Sequence, residues 1–490
     1  MWDILCISHF FYTFAKNDGT NTERIITMQI FKEERIIKLI EFIKDEIKDT
    51  AFRNHVFVVG GSIRDSLLGL KVKDIDLVVD IPNGGVLLST FLTAKNNCYR
   101  TGKNPVIYNK YGTAKFQFLN HNEFNDIEIE CVQTRKEQYH NESRNPKVVF
   151  GELEEDAKRR DFTVNSIYYN ISSDRIEDPN NGLDDILNAV IKTPSNPRII
   201  FMEDPLRILR AVRFSCKLGW GIEKDTWLGM IENAHRIDII SQERITDEIT
   251  KILTSHKPSV GIRKMLGCGL LHRVLPDIYD LIGVSECGKL SLFDHTMSVL
   301  DVVNPCIEHR LAALFHDVGK VVVNGVNSKH VDVPSFSSDI ASHDLFMMKY
   351  PNSVIDTVEK AIKYHMAFSN YGEYEIPRDK ILRKFIHLVG DSIAPTFDLM
   401  NANNAFCGRN KKKTQVMNIL NRMEELENIE NMQNVKLPVS GKDIMEKFNL
   451  KQSPLIGTLL NEIREAYFER PDITKEECFE LVDKILNKVI

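Results

Sequence analysis

The sequence predicts an α+β protein, with strands early in the chain and helices later. Three observations carry that reading. Val56-Phe57-Val58-Val59 is a β-branched and aromatic run that ends in Gly60-Gly61, as a buried strand entering a tight turn does. Asp74-Ile75-Asp76-Leu77-Val78-Val79 and Asp126-Ile127-Glu128-Ile129-Glu130 have strand character, with acids two apart. Glu203 to Phe214 carries acids and Pro205 at its start, then Leu206, Leu209 and Val212 at helical spacing.

In chain order, Met28-Gln29-Ile30-Phe31 reads as the start of a helix and as a possible true start of the protein. Residues 1–27 before it form an extension of uncertain role. Trp2 to Phe14 is moderately apolar, but Asp3 interrupts it and no basic segment precedes it, so it is a poor signal peptide. The turn at Gly60-Gly61 lets backbone N–H groups approach a polyphosphate, and Arg64 and Asp65 are expected to open a short helix from Ser66 to Leu70. Period-two geometry puts Asp74 and Asp76 on one face of their strand. Two adjacent carboxylates repel unless a cation lies between them, and hard oxygen ligands suit Mg²⁺. Such a site activates an attacking oxygen and stabilises a leaving one. A third carboxylate is expected from a neighbouring strand, from Glu128 or Glu130.

These motifs resemble those of the class II tRNA nucleotidyltransferase and bacterial poly(A) polymerase family. The resemblance continues in order along the chain: Gly112-Thr113-Ala114, then Glu130 with Arg135 five residues on, which favours Glu130 as the third carboxylate. Arg135 to Tyr139 and Ser143 to Pro146 resemble the flexible loop of CCA-adding members. Arg159-Arg160-Asp161-Phe162-Thr163-Val164-Asn165-Ser166 is close to a family octamer, with Ser166 where alanine is usual. Asp178 to Asp185, Glu203 to Phe214, and Ser241-Gln242-Glu243-Arg244-Ile245 complete the set.

The resemblance implies a nucleotidyltransferase-type β-sheet catalytic head over 28–192. All-helical regions would follow: neck and body over 193–283, an HD domain over 284–408 and a tail over 409–490. It implies that Asp74 and Asp76 hold Mg²⁺ with Glu130 as the third acid. Gly61, Arg64, Arg160, Asp161 and Asn165 would bind nucleotide, Arg160 and Asp161 through ribose and triphosphate. The expected reaction is template-independent addition of CCA to the tRNA 3′ end from CTP and ATP. Poly(A) polymerase or partial CC or A addition is the rival within the class. A non-catalytic RNA-binding protein is the rival outside it.

The segment from Glu203 also reads as a base-recognition device in its own right. Asp204 and Arg207 stand at i and i+3 on one helix face. A carboxylate accepts from the exocyclic amine of cytosine or adenine, and a guanidinium donates to the ring acceptor beside it. Guanine and uracil would oppose acceptor to acceptor and donor to donor, at about 1–3 kcal/mol per unpaired group. Glu203 is expected to orient Arg207, and Arg210 and Arg213 extend a basic stripe that is a candidate RNA contact.

Farther on, Arg310 to Lys320 contains His316-Asp317 followed by Gly319-Lys320. This resembles the HD phosphohydrolase superfamily, with His295 as upstream ligand and His343 and His365 as further candidates. Imidazole and carboxylate ligands suit Ni²⁺ or another divalent metal that activates water. The superfamily's last ligand is an Asp, whereas the matching residue here is Asn403, a weaker neutral ligand, with Asp398 one turn away.

Composition sets outer bounds. The 490 residues allow several domains, and no long uncharged apolar run suggests a membrane span. With 63 basic and 69 acidic residues the net charge is −6, so RNA contact must be local, as at Arg409 to Lys413. Nine cysteines without a CxxC pair fit a reducing compartment, and a cytoplasmic location is expected, with an organellar one, through a weak targeting segment, as the alternative.

Overall fold

The computed structural model describes residues 30–95, 105–108, 112–118, 122–140, 143–285, 291–324, 332–372, 374–406, 412–430 and 436–489. The N-terminal extension, Met28 and Arg409 to Lys411 fall outside them. Internal packing divides the chain into two units, one made of 1–248 with 264–273 and the other of 249–263 with 274–490.

The first unit is built on a seven-stranded sheet. In chain order its strands are β1 (Val56–Val59), β2 (Asp74–Val79), β3 (Val106–Tyr108), β4 (Thr113–Phe116), β5 (Glu128–Gln133), β8 (Tyr168–Asn170) and β9 (Arg175–Glu177), and their spatial order is β3-β4-β5-β2-β1-β8-β9. β2 and β5 run parallel, and every other neighbouring pair in this sheet is antiparallel. All four residues of β1 are buried, which explains its unbroken apolar run. Helix α1 (Glu34–Ile47) buries Ile36, Leu39, Ile40, Ile43 and Ile47, an i, i+3, i+4 stripe. It begins after Glu33, which holds the extended backbone of an N-cap.

Helix α2 (Gly61–Leu67) begins directly at the second glycine, earlier than expected, because Gly60 at φ 82° turns the chain into it. Helix α3 (Gly84–Lys95) follows β2. The segments compared with a flexible loop form a hairpin, β6 (Arg135–His140) with β7 (Ser143–Phe150), outside the main sheet. Helix α4 (Leu153–Lys158) returns onto the sheet, where Ala157 packs with Phe57, Val59, Val78 and Tyr168. Helix α5 (Gly182–Leu187), α6 (Pro197–Glu203), α7 (Leu206–Leu218) and α8 (Lys224–Asn233) are further helices of this unit.

The second unit is helical. Phe368, Phe385 and Phe397 sit with ring centroids 4.8–6.2 Å apart at the centre of one core, with Ile386, Met400, Ile419 and Met423 around them. Its last helices form another core from Ile444, Leu459, Ile463, Cys478 and Val482. In the tail, the helix Gly441–Phe448 starts with a capping box, in which Ser440 accepts from the Asp443 amide and Asp443 accepts from the Ser440 amide. Among the described residues no helix is long and apolar enough to cross a membrane.

Candidate active site and a second metal-capable cluster

The parallel register of β2 and β5 sets Asp74 opposite Glu128 and Asp76 opposite Glu130. Opposed residues point to the same face, so the acids form two adjacent rungs. The face is that of Val59 and Tyr168, since Val59 pairs with both Asp76 and Tyr168. Asp76 therefore stands at the edge of an apolar layer. Burial first, then the charges of Glu130 and Asp74, push its carboxyl up to about 6, against the pull of Arg160 and Lys115. A divalent cation among these oxygens would relieve that cost, so the residues present fit one. Gly60 lies against them: a Cβ there would be 3.5 Å from Asp76 Oδ2 and 3.9 Å from an Arg160 nitrogen.

Arg160 is held by Asp156, a residue that the sequence reading passed over. Asp156 is fully buried on α4, and its Oδ2 accepts from Arg160 Nε at 3.1 Å and from Tyr168 Oη at 2.7 Å. Its Oδ1 accepts from Arg159 Nε at 3.0 Å and from the Arg135 amide at 3.3 Å, at the base of the hairpin. Burial alone would raise this carboxyl, but Arg160 and Arg159 hold it far below the carboxylate range. The signal was present in the i, i+3 and i, i+4 spacing from Asp156 to the two arginines.

A chain of polar contacts runs from there to α7. Arg64 donates to Asn165 Oδ1 at 2.5 Å and to Asp65 at 2.6–2.8 Å, and its guanidinium lies 4.7 Å from the Phe214 ring centroid. Asn165 donates to Asp161 Oδ1 at 3.0 Å, and Arg210 donates twice to Asp161 Oδ2 at 2.6 and 2.8 Å. Burial opposes ionisation of Asp161, yet Arg210 keeps it down at about 2. Arg213 pairs with buried Glu248 at 2.8 Å. The stripe from Arg207 to Arg213 is thus largely matched by acids of its own unit.

The base-recognition pair sits at a break between helices. α6 ends at Glu203, Asp204 is extended, and α7 begins at Leu206, so one continuous helix does not carry both residues. Asp204 Oδ1 accepts from the Leu206 amide at 3.1 Å and Oδ2 from Arg244 at 3.1 Å. Arg207 is buried, donates to the carbonyls of Arg159 at 2.7 Å and Ile200 at 3.3 Å, and lies 3.6 Å from Glu203. A guanidinium has five N–H groups, so donors remain after those two bonds.

Asp178 to Asp185 is the support for this region. Asp178 accepts from the amides of Gly182 and Leu183 at 2.8 and 2.9 Å, and Thr163 donates to Asp185 at 2.7 Å. Gly182 fits closely, since a Cβ would meet the Thr163 carbonyl oxygen at 2.3 Å.

In the second unit, His295, His316 and Asp317 bring ligand atoms within 4.8 Å of one another, the one such group among the described residues. All three are buried. The Nε2 atoms of His295 and His316 are 3.3 Å apart, and Asp317 Oδ2 is 3.1 Å from His316 Nε2. His316 Nδ1 lies 2.8 Å from the Ala313 carbonyl, which fixes the proton there and leaves Nε2 as a ligand. His365 is buried with its ring 5.6 Å from that of His316, and burial pushes it down to about 4. His343 is exposed and stands outside the group. Asn403 donates to the Met366 thioether at 3.7 Å. Asp398 is engaged elsewhere, by His309 Nδ1 and the Asn304 amide, both at 2.7 Å.

Residues 56–192 match the family described as Poly A polymerase head domain. Residues 219–281, after it, match a probable RNA and SrmB-binding site of polymerase A. A mitochondrial CCA tRNA nucleotidyltransferase of Candida glabrata is 34% identical over 225 residues, 42% of this chain. That alignment spans 40% of the relative's own length. The mitochondrial CCA tRNA nucleotidyltransferase of Saccharomyces cerevisiae is 23% identical over 88% of each chain. The CCA-adding enzyme of Bacillus stearothermophilus, solved with CTP, has a TM-score of 0.65 at 22% identity, over 93% of this chain and 98% of that one. At that identity the likeness establishes the fold: a β-sheet head with a helical remainder.

Proposed function

We propose that this chain adds CCA to the 3′ end of tRNA, using CTP and then ATP without a nucleic-acid template. The observation that carries the proposal is the pairing of Asp76 with Glu130 across β2 and β5, beside Gly60 and Arg160, in a chain whose relatives are named for that reaction. The tRNA 3′-hydroxyl attacks the nucleotide α-phosphate, and pyrophosphate leaves in line. Mg²⁺ is the proposed metal, held by Asp74 and Asp76, and when bound it would acidify the hydroxyl and offset charge on the leaving group. Glu130 faces the attacking oxygen. Gly60 and Gly61 give the triphosphate access to backbone amides at the start of α2, and Arg160 binds it through a bidentate fork. Asp161 and Asn165 position the ribose, with Arg64 bracing Asn165. Asp204 and Arg207 read the amine and ring acceptor of cytosine or adenine, and water is excluded by burial around Arg207.

The deciding assay is extension of tRNA lacking its 3′ end, with CTP, ATP or both, resolved at single-nucleotide length. Three added nucleotides followed by a stop support the proposal. A long A tract, a stop after two C residues or a single A, or no extension would replace it.

A second reading is favoured by the convergence of His295, His316 and Asp317. We propose that they bind Ni²⁺ or a similar divalent ion and hydrolyse a phosphoester at an RNA end. Asn403 makes this a site of three strong ligands. For location, cytoplasm and mitochondrial matrix are both reducing, and the mitochondrial relatives favour testing residues 1–40 as a targeting segment fused to a fluorescent protein.

A further inference from the structure

Lys115 was not anticipated, and it touches the carboxylate row at its most exposed side. It lies on β4 directly opposite Glu130, which lies opposite Asp76 on β2, so the three share one level and one face of the sheet. Its Nζ is 3.0 Å from Glu130 Oε2 and 3.1 Å from Glu128 Oε1. One ammonium thus spans both acidic rungs.

We propose that Lys115 is a resident counter-cation of this row, one that fixes Glu130 and keeps the site's affinity for a divalent ion low in the nucleotide-free protein. The proposal rests on the reading of Asp74, Asp76 and Glu130 as a metal site. Its physical basis is competition. An ammonium on Glu128 and Glu130 and a divalent ion on Asp74 and Asp76, their direct cross-strand partners, repel each other, and in a half-exposed site that repulsion is worth about tenfold or more in affinity. Lys115 acts through Glu130, as a positioning residue. The alternative role is preorganisation alone, in which holding Glu130 in place would help the metal to bind, so that loss of Lys115 would weaken binding. The two roles differ in sign.

The test is Mn²⁺ binding to full-length, nucleotide-free protein, followed by loss of the free-ion electron paramagnetic resonance signal. Binding at His295, His316 and Asp317 is subtracted by measuring each protein with and without Asp74→Asn and Asp76→Asn. Lys115→Met is expected to tighten the subtracted Mn²⁺ affinity about tenfold, and Lys115→Arg, which keeps the charge, to stay within about threefold of the parent. Unchanged or weaker binding in Lys115→Met, with the subtracted site still present in the parent, overturns the role of Lys115 alone. Absence of any Mn²⁺ that Asp74→Asn and Asp76→Asn remove, in the parent and in Lys115→Met, overturns both this role and the metal site beneath it.

Discussion

At the scale of the residue, the molecule depends on carboxylates whose neighbours decide their charge. Asp161 and Asp76 have the same side chain and opposite shifts: burial raises both, Glu130 and Asp74 add to it at Asp76, and Arg210 overcomes it at Asp161. For Asp161 the folded value is depressed, so its contribution is complete above the unfolded value of about 4 and is lost as pH falls through about 2. Chemical unfolding of the parent between pH 4 and 2 should lose roughly 2 kcal/mol that Asp161→Asn lacks at every pH. A second prediction concerns Asp204. Asn there keeps an acceptor and adds a donor, so it should accept GTP and UTP more readily. Asp204→Asn is expected to reduce discrimination against them by at least about tenfold, read from single-nucleotide incorporation rates. Preserved discrimination would mean that Asp204 serves only Leu206 and Arg244.

At the scale of the element, the sequence was most legible where one local rule acts alone. β1, the alternating acids of β2 and β5, and the amphipathic α1 follow from periodicity. Register was not legible, because strands from distant segments must meet before Asp76 opposes Glu130. The partners of Arg160 were hidden for a different reason: Asp156 looked like one acid among several in Glu154-Glu155-Asp156, and only burial singles it out. The break at Asp204-Pro205 was visible as a proline but was read as the interior of one helix start. The Asp178 to Asp185 motif gained a physical meaning only from its bonds to the backbone of α5. It yields a third prediction. Gly182→Ala forces a methyl group against the Thr163 carbonyl and should cost about 1–3 kcal/mol, more than alanine's helix preference returns. Thermal unfolding would detect the loss, and the KM for CTP should rise as the turn carrying Asn165 shifts.

At the scale of the whole molecule, the proposed nucleotide site lies in the first compact unit and the metal-capable cluster of His295, His316 and Asp317 in the second. Their losses should therefore be separable. Asp74→Asn is expected to abolish tRNA extension and leave phosphate release intact, while His316→Ala should do the reverse, with extension within about twofold of the parent. Loss of extension in a folded His316→Ala protein would contradict independent sites. Composition anticipated the absence of a long apolar helix among the described residues, but not which histidines converge. His343 and His295 look alike in sequence; the fold buries one beside His316 and leaves the other in solvent.

The bond from Arg207 to the Arg159 carbonyl has a consequence for how errors can arise. Arg207, proposed to inspect the base, is anchored to the backbone immediately before Arg160, proposed to grip the phosphates. A lineage selecting for faster addition cannot loosen the inspector without disturbing the grip. On the proposed roles, careless variants at this position should also be sluggish ones.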